Sequence, residues 1–77
     1  MEIRVVYFGI LQEQSGKTEE IIETECSQAS DLYHSLATKH NLGLSSVQVK
    51  FAVNGTLGNQ TLKDGDQVDF LPPFVGG

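Results

Sequence analysis

The sequence is poor in cysteine, tryptophan, proline and positive charge, and it contains no long hydrophobic run. A lone cysteine, Cys26, leaves no intrachain disulfide, which excludes a secreted, disulfide-stapled framework. Five basic residues stand against ten acidic ones, for a net charge of −5. The five (Arg4, Lys17, Lys39, Lys50 and Lys63) are scattered along the chain. Phosphate backbones are bound by clustered positive charge, so no nucleic-acid partner is expected. An acidic chain suits a basic protein partner instead. No stretch approaches the roughly 18–20 apolar residues that span a bilayer, so no membrane association is expected. The opening MEIRVVYFGIL carries Glu2 and Arg4 and lacks a small-residue cleavage site, unlike a signal peptide. The expected location is cytoplasmic.

What is present fits one small domain over residues 1–77. A chain this short hides roughly 60–65% of its unfolded surface, so its core is a thin layer without room for a large ligand cavity. Residues 2–9 are rich in β-branched and aromatic side chains and read as a strand. Ile3, Val5 and Tyr7 share one face; Arg4, Val6 and Phe8 share the other. Residues 11–16 read as a polar turn and 17–25 as a second strand, together an antiparallel hairpin. Ser27 is placed to cap a helix over about 28–40, with Asp31 in its first turn. Ala29, Leu32, Tyr33, Leu36, Ala37 and His40 form its mostly apolar stripe. Residues 47–53 alternate as a strand, with Val47, Val49, Phe51 and Val53 on one face. Asn54-Gly55 signals a type I′ hairpin, with a short strand near Thr56-Leu57. Lys63-Asp64-Gly65-Asp66 reads as a tight turn before a last strand at 67–71. Pro72-Pro73 ends it. The order β-β-α-β-(β)-β points to an α+β fold of β-grasp, ubiquitin-like type. Its mixed sheet carries one main helix across one face, and the two chain-end strands are central neighbours. Val5, Leu32, Leu36, Phe51, Val53, Val68 and Phe70 are the expected core.

Few residues offer chemistry. Cys26 at a strand–helix junction is either a nucleophile or a packing cysteine, with packing favoured because no histidine lies near it in sequence. His34 and His40 are six apart on the helix, so they fall on different faces and form no metal pair; no metal site is expected. Glu19, Glu20, Glu23 and Glu25 read as a solvated strand edge. Gly55, Gly58 and Gly65 read as turn residues, not a phosphate cradle. The chain closes Leu71-Pro72-Pro73-Phe74-Val75-Gly76-Gly77. Two terminal glycines arise by chance in about 0.5% of chains. A frayed end is one reading. The other is a flexible tail, 72–77, that threads a narrow tunnel and delivers its carboxylate into another protein. Chemistry alone leaves both open.

The segment from Leu62 to Gly77 (LKDGDQVDFLPPFVGG) resembles the end of the molybdopterin synthase small subunits, a family of ubiquitin-like sulfur carriers. Their pattern is approximately L-x-D-G-D-x-V-x-[FL]-x-P-P-V-x-G-G. Ile3 to Gly9 is similar to the family's first strand, and Phe51-Ala52-Val53-Asn54-Gly55 to its middle strand end. Leu71 stands where Phe is frequent, and Phe74 where Val is frequent. The resemblance implies a sulfur-donating subunit, not an enzyme on its own. An E1-like adenylating enzyme would use ATP to place AMP on the Gly77 carboxylate. A sulfur donor, such as a cysteine desulfurase or rhodanese-like protein, would convert it to a thiocarboxylate. Pro72, Pro73, Phe74, Val75 and Gly76 would insert with Gly77 into the large catalytic subunit, where sulfur passes to cyclic pyranopterin monophosphate. No cofactor is expected to stay bound. Strand parity places Phe8 and Leu71, with Leu57 beside them, on the open face that docks these partners. The alternatives are a related carrier for thiamine or tRNA thiolation, and a ubiquitin-like protein modifier or binding module.

Overall fold

The computed structural model describes residues 1–73. Among them the chain forms strands β1 (Glu2–Tyr7), β2 (Glu19–Glu23), β3 (Lys50–Val53), β4 (Thr56–Leu57) and β5 (Gln67–Leu71). Two helices join them, α1 (Ile10–Ser15) and α2 (Ala29–His40). The strands make one mixed sheet in the order β2-β1-β5-β3-β4. The first and last strands are parallel central neighbours, with Val5 opposite Val68 and Tyr7 opposite Phe70. Every other pair is antiparallel.

Alternation in β1 sends Ile3, Val5 and Tyr7 fully inside. Val68 and Phe70 of β5 and Phe51 and Val53 of β3 join them. Helix α2 lays Ala29, Leu32, Tyr33 and Leu36 across this face. The Tyr33 ring meets Phe70 edge-on at 5.1 Å and Phe51 at 6.1 Å. All seven expected core residues are therefore buried together.

Several boundaries differ from the sequence reading. Residues 11–16 are not a turn: α1 occupies Ile10–Ser15 and drives Leu11 into the core. It is too short to show helical periodicity, and Gly16, at φ 78°, closes it in the left-handed conformation glycine favours. The second strand shrinks from 17–25 to Glu19–Glu23. Ser27 does not cap α2. Gln28 takes that position without a side-chain bond, while the Ser27 carbonyl accepts from the Leu62 N–H. Instead Asn59, far along the chain, accepts the Ser30 N–H on its Oδ1 at 2.9 Å. The strand expected over 47–53 begins only at Lys50, because Ser45–Gln48 form a turn that leaves Val47 91% exposed. Asn54-Gly55 turns as expected, with φ of 51° and 87°.

Candidate functional site: the open sheet face and the root of the tail

The sheet has a helix-covered face and an open face. On the open face, register aligns Val6 of β1, Asp69 of β5, Ala52 of β3 and Leu57 of β4 in one row. In the next row Leu71 lies opposite Lys50. One further step along the parallel pair brings Phe8 level with Leu71, and the Phe8 N–H donates to the Phe70 carbonyl at 3.3 Å. Phe8 and Leu57 are 38% and 65% exposed, while Leu71 and Val6 are half-buried. Ala52 is buried outside the main core. The row is thus an apolar band interrupted by Asp69. On β1 and β2 the band passes into charge: the Arg4 guanidinium forks onto Glu19, Nε to Oε2 at 2.7 Å and Nη2 to Oε1 at 3.0 Å. Exposed Ile21 sits opposite Arg4.

The tail leaves from this region. Leu71 ends β5, and Pro72 and Pro73 follow without entering a strand. Neither proline can extend the ladder. The Pro72 ring packs over Gly9, where an added Cβ would stand 3.0 Å from Pro72 Cγ. Pro72 and Pro73, with Gly9, Ile10 and Leu44, line an apolar pocket of about 290 Å³. Structure thus brings Phe8, Leu71 and the tail root together at the end of the central strands, with Leu57 further along the open face. Phe74, Val75, Gly76 and Gly77 lie outside the described residues.

The turn before β5 is held by Asp66. Its carboxylate accepts from Asn54 Nδ2 at 2.9 Å and from the Lys63 N–H at 2.8 Å. Those bonds, Asn54 first, hold its carboxyl below the usual range. The Asp66 side of the D-G-D segment therefore ties the turn before β5 to the β3–β4 hairpin and fixes where β5 begins.

Other candidates fall away or change. Cys26 is half-buried against the core, as the packing reading expects. Among the described residues no three His, Cys, Asp or Glu side chains gather to hold a metal. No helix among them is long and apolar enough to cross a membrane. Glu20 is not part of a solvated edge; its side chain is 10% exposed. It accepts the Tyr7 hydroxyl at 2.5 Å and contacts His40 Nε2 at 2.8 Å. Sequence reasoning also missed Ile10 and Leu44, which carry no motif. The one available signal was that Ile10 directly follows the Phe8-Gly9 strand end.

This sheet order, with one long helix across one face and an open face on the other, defines a ubiquitin-like β-grasp protein. More narrowly, the chain belongs to the ThiS family, whose model matches residues 5–77. It is 33% identical over 84 residues to the molybdopterin synthase sulfur carrier subunit of Chlamydomonas reinhardtii, with both chains fully covered. Among solved structures, it is similar to the Pyrococcus furiosus protein assigned as molybdopterin converting factor subunit 1. That match has 30% identity, 96% and 99% coverage and a TM-score of 0.77. It also matches a protein–protein complex of subunits 1 and 2 of molybdopterin-converting factor from Helicobacter pylori, at 29% identity, full coverage of both chains and a TM-score of 0.68. Small archaeal modifier protein 1 of Methanosarcina acetivorans is similar at 25% identity, 99% and 96% coverage and a TM-score of 0.76.

Proposed function

We propose that this chain is the sulfur-carrier small subunit of a molybdopterin synthase and that Gly77 is its reactive end. The observation that carries the reading is the open apolar face of exposed Phe8 and Leu57 and half-buried Leu71, with Phe8 and Leu71 at the end of the central strands from which the proline-started tail departs. A partner docked there lies beside the tail. Full-length similarity to the Chlamydomonas sulfur carrier and to the H. pylori complex supports the large subunit as that partner.

A free carboxylate is a poor electrophile, so activation comes first. In an adenylating enzyme, a Gly77 carboxylate oxygen attacks the α-phosphorus of ATP and pyrophosphate leaves. The outer sulfur of the donor protein's cysteine persulfide then attacks the acyl carbon and AMP leaves, giving an acyl disulfide. A second thiol attacks the donor's sulfur in that S–S bond, so a disulfide forms on the donor side and the thiocarboxylate leaves. The resulting thiocarboxylate is a soft nucleophile for the pterin substrate in the large subunit. ATP is a substrate of the adenylating partner, not a resident group of this chain. Acid–base and anion-binding groups come from the partners. This chain supplies the end group and the docking face, and Pro72-Pro73 stiffen the base of the tail.

The test is ATP-dependent adenylation by the cognate activating enzyme. Wild type should be adenylated. Deleting Gly77 moves the carboxylate back by up to about 3.5 Å, and misplacement by about 1 Å can cost a hundredfold. The shortened chain, and one extended past Gly77, should therefore be inert. Native rates for either would sink the proposal. The second reading, a carrier for another thiolation or a protein modifier, draws on the similarity to the archaeal modifier. It is separated by the acceptor: transfer to pterin precursor marks the first, and an isopeptide bond to a protein lysine marks the modifier.

A further inference from the structure

We propose that the pocket at the tail root receives one apolar side chain of the large subunit, a second anchor distinct from the open sheet face. The inference rests on the sulfur-carrier reading. Among the described residues its walls are Gly9, Ile10, Leu44, Pro72 and Pro73, none of which has a charged or polar side chain. A phosphate or pterin would lose its hydration there and gain no hydrogen bond, so small polar ligands are a poor fit. Its volume, about 290 Å³, lies at the small end of ligand pockets and suits one branched or aromatic side chain.

Closeness to Gly77 selects the occupant. Residues 74–77 carry the chain from Pro73 to Gly77, the reactive residue of the proposed function. Fully extended they reach at most about 14 Å. A protein that holds Gly77 at its reaction centre must therefore bring its surface close to this pocket. The pocket is also firmly walled. The Tyr33 hydroxyl donates to the Leu44 carbonyl at 2.6 Å, and the Gly43 N–H donates to Gln14 Oε1 at 2.9 Å, tying the loop after α2 to α1. Ile10 is 48% exposed although it stands at the start of α1 above the core. A preformed apolar hollow at the edge of a docking surface is where an interface anchor contributes most, because little ordering is left to do on binding.

The experiment titrates the full chain with the large molybdopterin synthase subunit by calorimetry. Ile10→Asp should weaken binding by about tenfold or more, Ile10→Leu should bind within about twofold of wild type, and neither should change the urea midpoint. Leu57→Asp serves as the open-face control. Methyl NMR of the complex gives an independent reading: the Ile10 and Leu44 methyl signals should shift on binding. Loss of binding in Leu57→Asp with none in Ile10→Asp, or unshifted Ile10 and Leu44 methyls, overturns the pocket and leaves the carrier reading standing. Failure of wild type to bind the large subunit overturns both.

Discussion

Glu20 shows how much one side chain can organise. The Tyr7 hydroxyl, His40 Nε2 and Lys17 Nζ all converge on its carboxylate, the last at 3.4 Å. Burial opposes its charge, yet bonds from Tyr7 and His40 and the nearby Lys17 outweigh burial and hold the carboxyl below its usual range. Burial, and then Glu20 itself, push the Tyr7 hydroxyl far above the ordinary tyrosine range, so it remains a neutral donor. Because the folded state binds the Glu20 proton less readily than the unfolded state, this contribution is full above the ordinary carboxylate range. It is lost as pH falls through the lower folded value. Asp66 acts in the same direction. Urea midpoints should therefore fall with acidification below about pH 4, and Glu20→Gln should flatten that fall. Glu20→Ala leaves the Tyr7 hydroxyl buried without its acceptor and should cost about 1–3 kcal/mol. Tyr7→Phe in the Glu20→Ala background should recover part of that loss; no recovery would show that the hydroxyl was not the unsatisfied group. None of this was legible in the run Glu19-Glu20-Ile21-Ile22-Glu23, which reads as a solvated edge. Tyr7 and His40 lie 13 and 20 residues away in sequence, and only the fold brings them together.

At the scale of elements, long periodic segments were legible and short ones were not. Alternation placed the inner faces of β1 and β5 correctly, and the apolar stripe placed α2 within one residue of its start. Helix α1 escaped because six residues hold a single buried position, Leu11. The start of β3 was misread because Val47 continues a strand-like alternation that a turn then breaks. The cap of α2 was misread for another reason: sequence rules look for a local side chain, whereas Asn59 reaches in from 29 residues away. Asn59→Ala should therefore cost about 1 kcal/mol, while Ser27→Ala should be nearly neutral, both by urea unfolding. The reverse order would restore the local cap. Leu36→Ala and Phe70→Ala open cavities between α2 and the sheet and should each cost about 2–5 kcal/mol, a large share of a small fold's stability.

At the scale of the whole molecule, one face of the sheet packs against α2 and the other carries no helix. Strand parity made that division legible in advance for Phe8 and Leu71. The pocket of Ile10 and Leu44 was not legible, because it is assembled from α1, the loop after α2 and the tail root. Phe8→Asp should leave the unfolding curve unchanged and weaken large-subunit binding by about thirtyfold, or about 2 kcal/mol. Unchanged affinity would move the docking surface elsewhere. The most direct test of sulfur carriage is the intact mass of the natively expressed chain, compared with a chain extended past Gly77. Wild type should carry a population heavier by one oxygen-for-sulfur exchange, mapped to Gly77 by fragmentation and absent from the extended chain. A wild-type population that stays wholly at the carboxylate mass while its activating enzyme and sulfur donor are present, or the same exchange in the extended chain, would contradict it.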